Sequence, residues 1–376
     1  MQEKFRILEV NKFYAPHIGG IETLVQQRTR YFAQYPDVEV KVLVCQEQGE
    51  GETADMDGAE VIRCSSLGTW FSCPVSLAFF KEFRELSEWA DVVEIHTPFP
   101  PGDLACLLSK CKCRVVIAWH SDVVRQKAFL RLYRPILQRF LRRADAVITA
   151  TEGHINGSAY LPAVREKCHV IPYPLESEQY DRAKKYPILT EKLKDPYRLK
   201  LLFVGRFVYY KGIDVLLTAM YKVNGCELFL CGSGVLETQL RRQAEGLPVH
   251  FLGRLSDEEL KAAFADCDIF VLPSVENSEA FGIVQQEAMI SGKPVINTSL
   301  PTGVPYVSIH GKTGLTVPPG DANALADAIQ TLADDPDMRR NFGKNARERA
   351  LTKYNTEIIM RQILDVLRGN SEVSGE

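Results

Sequence analysis

The sequence predicts an α/β protein made of two Rossmann-like, doubly wound parallel-sheet domains that face each other across a cleft. Its 376 residues suit two domains of ordinary size. Short apolar runs alternate with longer segments of helical periodicity along the whole chain, which is typical of parallel sheets covered on both faces. The alternation is interrupted once near the middle of the chain, and this interruption predicts the domain boundary.

The first half of the chain carries the strands and helices of one sheet. Helical periodicity is found there over 22–32, 75–86 and 125–141. The predicted strands are mostly apolar and cover 6–10, 40–44, 61–64, 92–95, 115–119, 146–150 and 170–171.

The second half follows a charged stretch that holds four prolines between residues 172 and 200. We therefore predict an N-terminal domain over 1–172, a linker over 173–199 and a C-terminal domain over 200–354. The predicted strands of this half cover 200–204, 227–231, 249–252, 269–272 and 294–297. The predicted helices cover 212–221, 235–244, 257–265, 283–290, 322–332, 336–351 and 355–367.

Composition argues against several classes of protein. The net charge of −3 disfavours a general nucleic-acid binder. No apolar signal core opens the chain and no stretch approaches a membrane span in length, so a cytoplasmic protein is expected. Several of the ten cysteines lie inside apolar runs, and they are expected to be reduced and buried. Three Asp-x-Asp triplets, at 55–57, 266–268 and 335–337, are interpreted as solvated turns, so neither a divalent metal nor a cofactor is predicted.

Two features of the first domain lie at predicted strand ends, where an open α/β sheet binds its ligands. Gly19 and Gly20 precede a helix, and such a pair lets an anion approach free backbone amides closely. An ordinary strand-to-helix turn is the alternative for this pair. His120 follows the strand at 115–119 and could bond a hydroxyl or a developing charge, the alternative being a capping or core histidine.

A basic loop follows the first strand of the second domain. Arg206 and Lys211 lie there between Gly205 and Gly212. A planar guanidinium and an ammonium suit a diphosphate, and the glycines permit close backbone approach. A solvated basic loop is the alternative.

A later loop of that domain joins the strand at 269–272 to a helix and carries Glu279 and Glu287. Glu279 precedes the helix and could accept hydrogen bonds from sugar hydroxyls, whereas Glu287 lies inside the helix and could bind the vicinal hydroxyls of a ribose. Both could instead simply favour a helix start. The backbone amides around Phe281, Gly282 and Ile283 lie at this predicted helix start, where they suit a phosphate.

Together these segments resemble the retaining glycosyltransferases of the GT-B fold in glycosyltransferase family 4. The motifs occur in the order of that family and span nearly the whole chain. One departure is visible, because this chain has Pro172-Tyr173-Pro174 where relatives commonly show Pro-Asn-Gly. The motifs that carry the resemblance are Gly19-Gly20, His120, Gly205-Arg206, Lys211-Gly212, Glu279, Phe281-Gly282 and Glu287.

The resemblance implies a nucleotide-sugar donor, used as a substrate and held mainly by the C-terminal domain, and an acceptor held mainly by the N-terminal domain. It also implies a last helix, within 355–376, that crosses back onto the N-terminal domain. Arg206 and Lys211 would neutralise the leaving diphosphate, Glu279 would contact the donor sugar and Glu287 the ribose. His120 would lie near the reacting carbon. Further donor-binding positions implied in this way are Gly19, Gly20, Gly205, Gly232, Arg254, Leu255, Phe281, Gly282, Ile283 and Val284.

Residues 120–127 look most like bacterial enzymes that build O-antigen and exopolysaccharide chains, many of which use GDP-mannose. The expected function is transfer of mannose to a saccharide acceptor, and the same resemblance implies that this acceptor is lipid-linked. No carboxylate pair suited to double displacement is evident, so a same-face substitution is expected. The alternatives are a UDP-sugar or other donor, nucleotide-sugar epimerisation, NAD-dependent oxidoreduction and a non-catalytic sensor.

The segment 123–141 combines basic and apolar side chains in one amphipathic helical pattern. Its basic face could simply be solvated. Alternatively, this face could attach the protein peripherally to an anionic membrane surface, where a lipid-linked acceptor would reside.

Overall fold

The computed structural model describes residues 4–17, 19–70, 73–122, 127–182, 186–193 and 195–370, and the side chains of 127–131 lie outside this description. The chain divides into two compact units. Unit 1 comprises Met1–Tyr173 with Glu357–Glu376, and unit 2 comprises Pro174–Thr356. Each unit is built on its own twisted sheet with helices, so the predicted architecture of two Rossmann-like domains is confirmed.

The described part of unit 1 contains eight strands of one sheet, which are β1 Phe5–Val10, β2 Val38–Cys45, β3 Glu52–Met56, β4 Ala59–Cys64, β7 Val92–Thr97, β8 Arg114–Trp119, β9 Ala146–Thr149 and β10 Cys168–Val170. Their order in the sheet is β10-β9-β8-β7-β1-β2-β4-β3, and every pairing except β3 with β4 is parallel. Two further short strands, β5 Thr69–Trp70 and β6 Cys73–Pro74, pair antiparallel. The helices are α1 Gly20–Phe32, α2 Ala78–Trp89, α3 Pro100–Ser109, α4 Lys127–Arg143 and α5 Glu152–Gly157.

The described part of unit 2 contains six strands of one parallel sheet, which are β11 Leu199–Val204, β12 Cys226–Cys231, β13 Val249–Gly253, β14 Ile269–Val271, β15 Val295–Thr298 and β16 Gly314–Val317. Their order in the sheet is β13-β12-β11-β14-β15-β16. Its helices are α6 Glu178–Asp181, α7 Ile213–Met220, α8 Glu237–Gln243, α9 Asp257–Asp266, α10 Val284–Ile290, α11 Val304–Val307, α12 Ala322–Asp334 and α13 Pro336–Lys353.

The last helix, α14 Thr356–Arg368, contributes to the core of unit 1. Its apolar side chains, including Ile359 and Ile363, are buried in one cluster with Ile7 of β1 and Val40 of β2. Apolar side chains at helical spacing form one face of a helix, and this face packs into a core because removing apolar surface from water lowers the free energy. Helix α14 therefore belongs to the same unit as β1 and β2.

Strand register places the candidate residues of each unit at one edge of its sheet. In unit 1, Thr97 pairs with Trp119, so His120 follows directly at that edge. In unit 2, Val204 pairs with Cys231, and Cys231 pairs with Gly253. The loops after β11, β12 and β13 consequently begin side by side, as the carboxyl ends of parallel strands do.

One sequence-based interpretation needs correction, that of the three Asp-x-Asp triplets. The Asp-x-Asp triplets are not simply solvated turns, because Asp57 binds Tyr14, Gln26 and Arg30 through its carboxylate. Asp335 likewise accepts a hydrogen bond from the amide of Met338 and caps α13.

The remaining triplet, at 266–268, contacts the predicted linker. The Asp266 carboxylate accepts hydrogen bonds from the amides of Leu189 and Thr190 at 2.7 and 2.8 Å. It therefore ties the proline-rich stretch to α9, and residues 174–199 belong to unit 2.

Asp103 is a buried acid between α3 and α4, and it accepts a hydrogen bond from the Tyr133 hydroxyl. Burial raises the pKa of Asp103 well above its ordinary value of 3.8. Because the folded state holds this proton, the resulting stability is present at low pH and is lost as pH rises through the folded-state pKa. The side chain in Asp103→Asn does not titrate. We therefore expect the free energy of unfolding of this variant to rise, relative to that of the wild type, as the pH increases from about 5 to about 9.

Urea unfolding at both pH values measures this effect. Asp327→Asn, at an exposed position of α12, is the matched control and is expected to show no such trend. A stability difference between Asp103→Asn and the wild type that does not change with pH would contradict the assignment of a buried, protonated acid.

Candidate functional site

The loop after β11 brings a basic and an acidic side chain into direct contact. A 3₁₀ turn over Tyr209–Lys211 directs Lys211 inward, and Gly212 follows with a φ of 65°. The Lys211 Nζ lies 2.5 Å from Glu279 Oε2, and both side chains are almost completely buried. Glu279, on the loop after β14, also accepts a hydrogen bond from Ser274 Oγ at 2.9 Å.

Arg206 lies on the same loop but is exposed. Its Nη2 lies 3.3 Å from the hydroxyl of Tyr210, and the Lys211 ammonium lies 5.8 Å from the centre of the Tyr210 ring. The two predicted cations thus flank one aromatic side chain, with Lys211 paired to a carboxylate and Arg206 open to solvent. The sequence did not indicate Tyr210 or Ser274 as parts of the site.

Three glycine-containing turns meet at the ends of β11, β12 and β13. Gly232 has a φ of 134°, and its amide donates to the Gly253 carbonyl at 2.8 Å. A β-carbon at Gly232 would lie 1.9 Å from the Gly205 carbonyl oxygen, so only glycine fits there. Arg254 Nε donates to Ser233 Oγ at 3.0 Å, and Leu255 follows it.

The helix predicted to follow Glu279 is α10, which begins at Val284 and has seven residues. Phe281 is buried, whereas Ile283 is partly exposed. Gly282 has a φ of 74°, and a β-carbon there would lie 2.6 Å from a Leu272 methyl group. A glycine is therefore required for the turn itself, and the role of the Phe281–Val284 amides in phosphate binding stays a prediction.

Glu287 lies one turn into α10 and contacts a residue that the sequence did not indicate. Its Oε1 accepts a hydrogen bond from the Tyr180 hydroxyl of α6 at 2.6 Å. Burial raises the pKa of Glu287, and the Tyr180 hydrogen bond opposes that rise. Glu279 contacts Lys211 and Glu287 contacts Tyr180, so the two glutamates of the motif have separate partners.

In unit 1, His120 has a partner on each ring nitrogen. Its Nε2 lies 2.9 Å from His96 Nδ1 on β7, and its Nδ1 lies 2.8 Å from the Tyr173 hydroxyl. His96 Nε2 in turn lies 2.8 Å from Glu9 Oε2 on β1. Tyr173 is the residue at which this chain departs from the Pro-Asn-Gly pattern.

Beside this chain of hydrogen bonds, Arg28 Nη2 donates to Glu94 Oε1 at 2.7 Å, with both side chains buried. Burial lowers the pKa of His96 to about 3 and holds the pKa of His120 well below its usual range. Both imidazoles are therefore neutral at neutral pH.

The Gly19-Gly20 pair begins α1, with Gly19 in an extended conformation at the N-cap. A β-carbon on Gly19 would lie 2.1 Å from the Glu22 carboxylate. The space beside this predicted phosphate-binding turn is thus occupied by an acidic side chain.

Among the described residues, one group could hold a metal ion, formed by Glu9, Glu94 and His96 with ligand atoms within 4.8 Å of one another. Arg28 already supplies a positive charge to Glu94 in that group, so a cation would compete with the guanidinium. Within the described residues, we find no helix that combines the length and the apolar character needed to cross a bilayer.

The amphipathic segment 123–141 is described in part, and positions 123–126 and the side chains of 127–131 lie outside the described residues. In α4, the described apolar side chains Tyr133, Leu137 and Phe140 are buried in the core of unit 1. Arg134 and Arg139 are exposed.

Comparisons with known proteins identify the family of this chain. Residues 188–349 match the family model of glycosyl transferases group 1, and residues 19–174 match that of a glycosyl transferase 4-like domain. The chain is 35% identical to the D-rhamnosyltransferase WbpZ of Pseudomonas aeruginosa, covering 92% of this chain and 91% of the relative. It is 32% identical to the O-antigen chain mannosyltransferase C of Escherichia coli, covering 92% and 93%.

Among solved structures, Anabaena HepE in complex with UDP superposes with a TM-score of 0.78 at 20% identity, over 97% of this chain and all of that one. WaaG, a glycosyltransferase involved in lipopolysaccharide biosynthesis, superposes with a TM-score of 0.71 at 18% identity over 97% and 100%. On the family models and the two close relatives, the chain belongs to the family 4 glycosyltransferases of the GT-B fold.

Proposed function

We propose that this glycosyltransferase is a retaining, metal-independent mannosyltransferase that moves mannose from GDP-mannose to a lipid-linked saccharide during synthesis of a bacterial surface polysaccharide. The observation that supports this most is the buried contact between Lys211 and Glu279 beside exposed Arg206. Burying an ammonium–carboxylate pair contributes little to stability compared with apolar packing. Such a pair at the carboxyl ends of parallel strands is better explained by ligand binding.

The proposed reaction breaks the bond between the anomeric carbon and the diphosphate oxygen. A new bond forms between that carbon and an acceptor oxygen on the same face, and the acceptor proton passes to the departing diphosphate. Arg206 and Lys211 would stabilise the negative charge that develops on the diphosphate, because preorganised cations in a partly buried site act strongly on such charge. Glu279 would hold Lys211 and accept a hydrogen bond from a sugar hydroxyl.

The choice of mannose is supported by the similarity to the O-antigen chain mannosyltransferase C of Escherichia coli. A second candidate sugar is D-rhamnose, because the D-rhamnosyltransferase WbpZ of Pseudomonas aeruginosa is similar over the same share of the chain. The base and the sugar are therefore the parts of the proposal that most need an experiment.

A transfer assay tests this proposal. The full chain is incubated with lipid-linked saccharides and, in turn, GDP-mannose, GDP-D-rhamnose, UDP-glucose and UDP-galactose. The proposal expects a new glycoside from GDP-mannose, with the anomeric configuration of the donor retained in the NMR spectrum of the product. Transfer from GDP-D-rhamnose alone would replace the sugar, an inverted product would refute the mechanism, and transfer from a UDP-sugar alone would refute the donor.

We further propose that the exposed basic residues of α4 attach the protein to an anionic membrane surface. Arg134, Arg139 and Arg142 are exposed, whereas Leu137 and Phe140 of the same helix lie in the core. We expect co-sedimentation with vesicles that contain phosphatidylglycerol, weakened by salt, since such attraction is electrostatic. Arg134→Glu/Arg139→Glu should sediment less, and equal sedimentation with neutral vesicles would contradict the proposal.

A further inference from the structure

The core of unit 1 contains an unusual group of ionisable side chains. Glu9, Glu94, His96 and Arg28 are each at most 2% exposed, although they lie among apolar strands. Charged and polar groups are costly to bury, so they normally occur in a core only when they are paired. The pairs formed here lead, by hydrogen bonds, to His120.

The contact between His96 and His120 has the geometry of a direct bond between ring nitrogens. The ring planes are within 9° of parallel and the ring centres are 5.2 Å apart. This separation matches the 2.9 Å between the nitrogens plus the two ring radii, so the rings lie edge to edge and not face to face. A neutral imidazole has one N–H, which donates, and one nitrogen lone pair, which accepts. If one nitrogen of His96 donates, the other must therefore accept, and this fixes which nitrogen of His120 donates.

The Glu9–Glu94 pair sets that direction. Arg28 supplies one positive charge to the cluster, and the two carboxyl groups of Glu9 and Glu94 bond to each other, which requires one shared proton. This proton lies between Glu9 Oε1 and Glu94 Oε2, the two carboxyl oxygens that have no other described partner, so Glu9 Oε2 carries no proton whichever carboxyl group holds it. Burial raises the pKa of both carboxyl groups and so favours keeping the proton.

Glu9 Oε2, which carries no proton, can only accept a hydrogen bond. His96 therefore donates from Nε2 to Glu9 and accepts at Nδ1, and His120 donates from Nε2 to His96. The remaining nitrogen of His120, Nδ1, is left with a lone pair, which accepts from the Tyr173 hydroxyl.

We propose that Glu9 and His96 are positioning residues that hold His120 as the Nε2–H tautomer, so that its Nδ1 presents a hydrogen-bond acceptor to a substrate hydroxyl. The Tyr173 hydroxyl occupies this acceptor in the structure and marks where such a hydroxyl would bind. His120 then accepts a hydrogen bond at Nδ1 from a sugar hydroxyl, and it does not donate a hydrogen bond to a phosphate or a carbonyl oxygen. This inference about the site rests on the proposed function only for the identity of the hydroxyl.

The tautomer of His120 can be measured without any substrate. In full-length protein labelled with ¹⁵N-histidine, long-range ¹H–¹⁵N spectra distinguish protonated from unprotonated ring nitrogens, and loss of signals in His120→Phe assigns the residue. We expect wild-type His120 to show a protonated Nε2 and an unprotonated Nδ1. His96→Phe should remove this preference and give averaged shifts, whereas His96→Gln, which offers a carbonyl acceptor, should restore it.

His169→Gln, on the edge strand β10, is the matched control and should leave the His120 signals unchanged. In the transfer assay, His96→Phe should lower kcat by roughly 10- to 100-fold, as loss of a partner that orients a functional histidine does, and His96→Gln should lower it less. An Nδ1–H tautomer in the wild type, or unchanged His120 signals in a folded His96→Phe, would overturn the proposal. The expected tautomer without transfer from any donor would instead overturn the proposed function alone.

Discussion

Replacing Lys211 with alanine is expected to lower kcat/KM for transfer by about 100- to 1,000-fold, the usual cost of removing one preorganised group that stabilises developing charge. Lys211 is nearly buried, and its Nζ lies 2.5 Å from Glu279 Oε2. Removing the ammonium also leaves Glu279 with the Ser274 hydroxyl as its remaining described partner. The rate should be measured with the donor and acceptor that the transfer assay identifies.

The matched control is Lys222→Ala, which removes an exposed lysine of the same unit that binds Asn323. Its kcat/KM is expected to stay near the wild-type value. Thermal unfolding of both variants separates lost catalysis from lost folding. A folded Lys211→Ala enzyme with a near-normal rate would mean that the Lys211–Glu279 pair has no part in the reaction.

Replacing Gly232 with alanine is expected to have the largest effect on the stability of unit 2. A non-glycine residue at a φ of 134° is strained, and the added β-carbon would lie 1.9 Å from the Gly205 carbonyl oxygen, which belongs to the backbone and cannot rotate away. We expect the free energy of unfolding to fall by about 3 kcal/mol or more. Urea unfolding followed by circular dichroism measures the change.

Gly246→Ala is the matched control, because Gly246 also has a positive φ of 80° but a β-carbon there meets no atom within 4 Å. Because both variants place alanine at a positive φ, a larger loss in Gly232→Ala reports the contact with Gly205 together with the less favourable φ of 134°. Equal losses of stability in the two variants would show that the turns after β11 and β12 do not pack as described.

The alternation of apolar runs and helical segments was enough to predict both sheets, because burial on two faces gives parallel strands a continuous apolar pattern. Short strands at the sheet edges were not predicted, because they lack a continuous apolar pattern. Strand β3, Glu52–Met56, is largely polar and lies at the sheet edge, and β16 begins at Gly314, which has no side chain to show a pattern.

The candidate site could be predicted only in part. Glycines and charges near strand ends indicated Arg206, Lys211 and Glu279, since these motifs are local in sequence. Tyr180 gave no such signal, because it lies 107 positions from the Glu287 that it contacts. A missed signal did exist in β7, where Glu94 and His96 interrupt an apolar strand two positions apart and so point to the same face of the sheet.

The central claim is that Arg206 and Lys211 bind the diphosphate of a nucleotide sugar, and equilibrium binding tests it most directly. Isothermal titration calorimetry would compare GDP with guanosine, in the wild type and in Arg206→Ala/Lys211→Ala. We predict that the wild type binds GDP at least about 100-fold more tightly than guanosine, that salt weakens GDP binding, and that the double variant loses most of this difference. Equal binding of GDP and guanosine by the wild type, or undiminished GDP binding by a folded double variant, would contradict the claim.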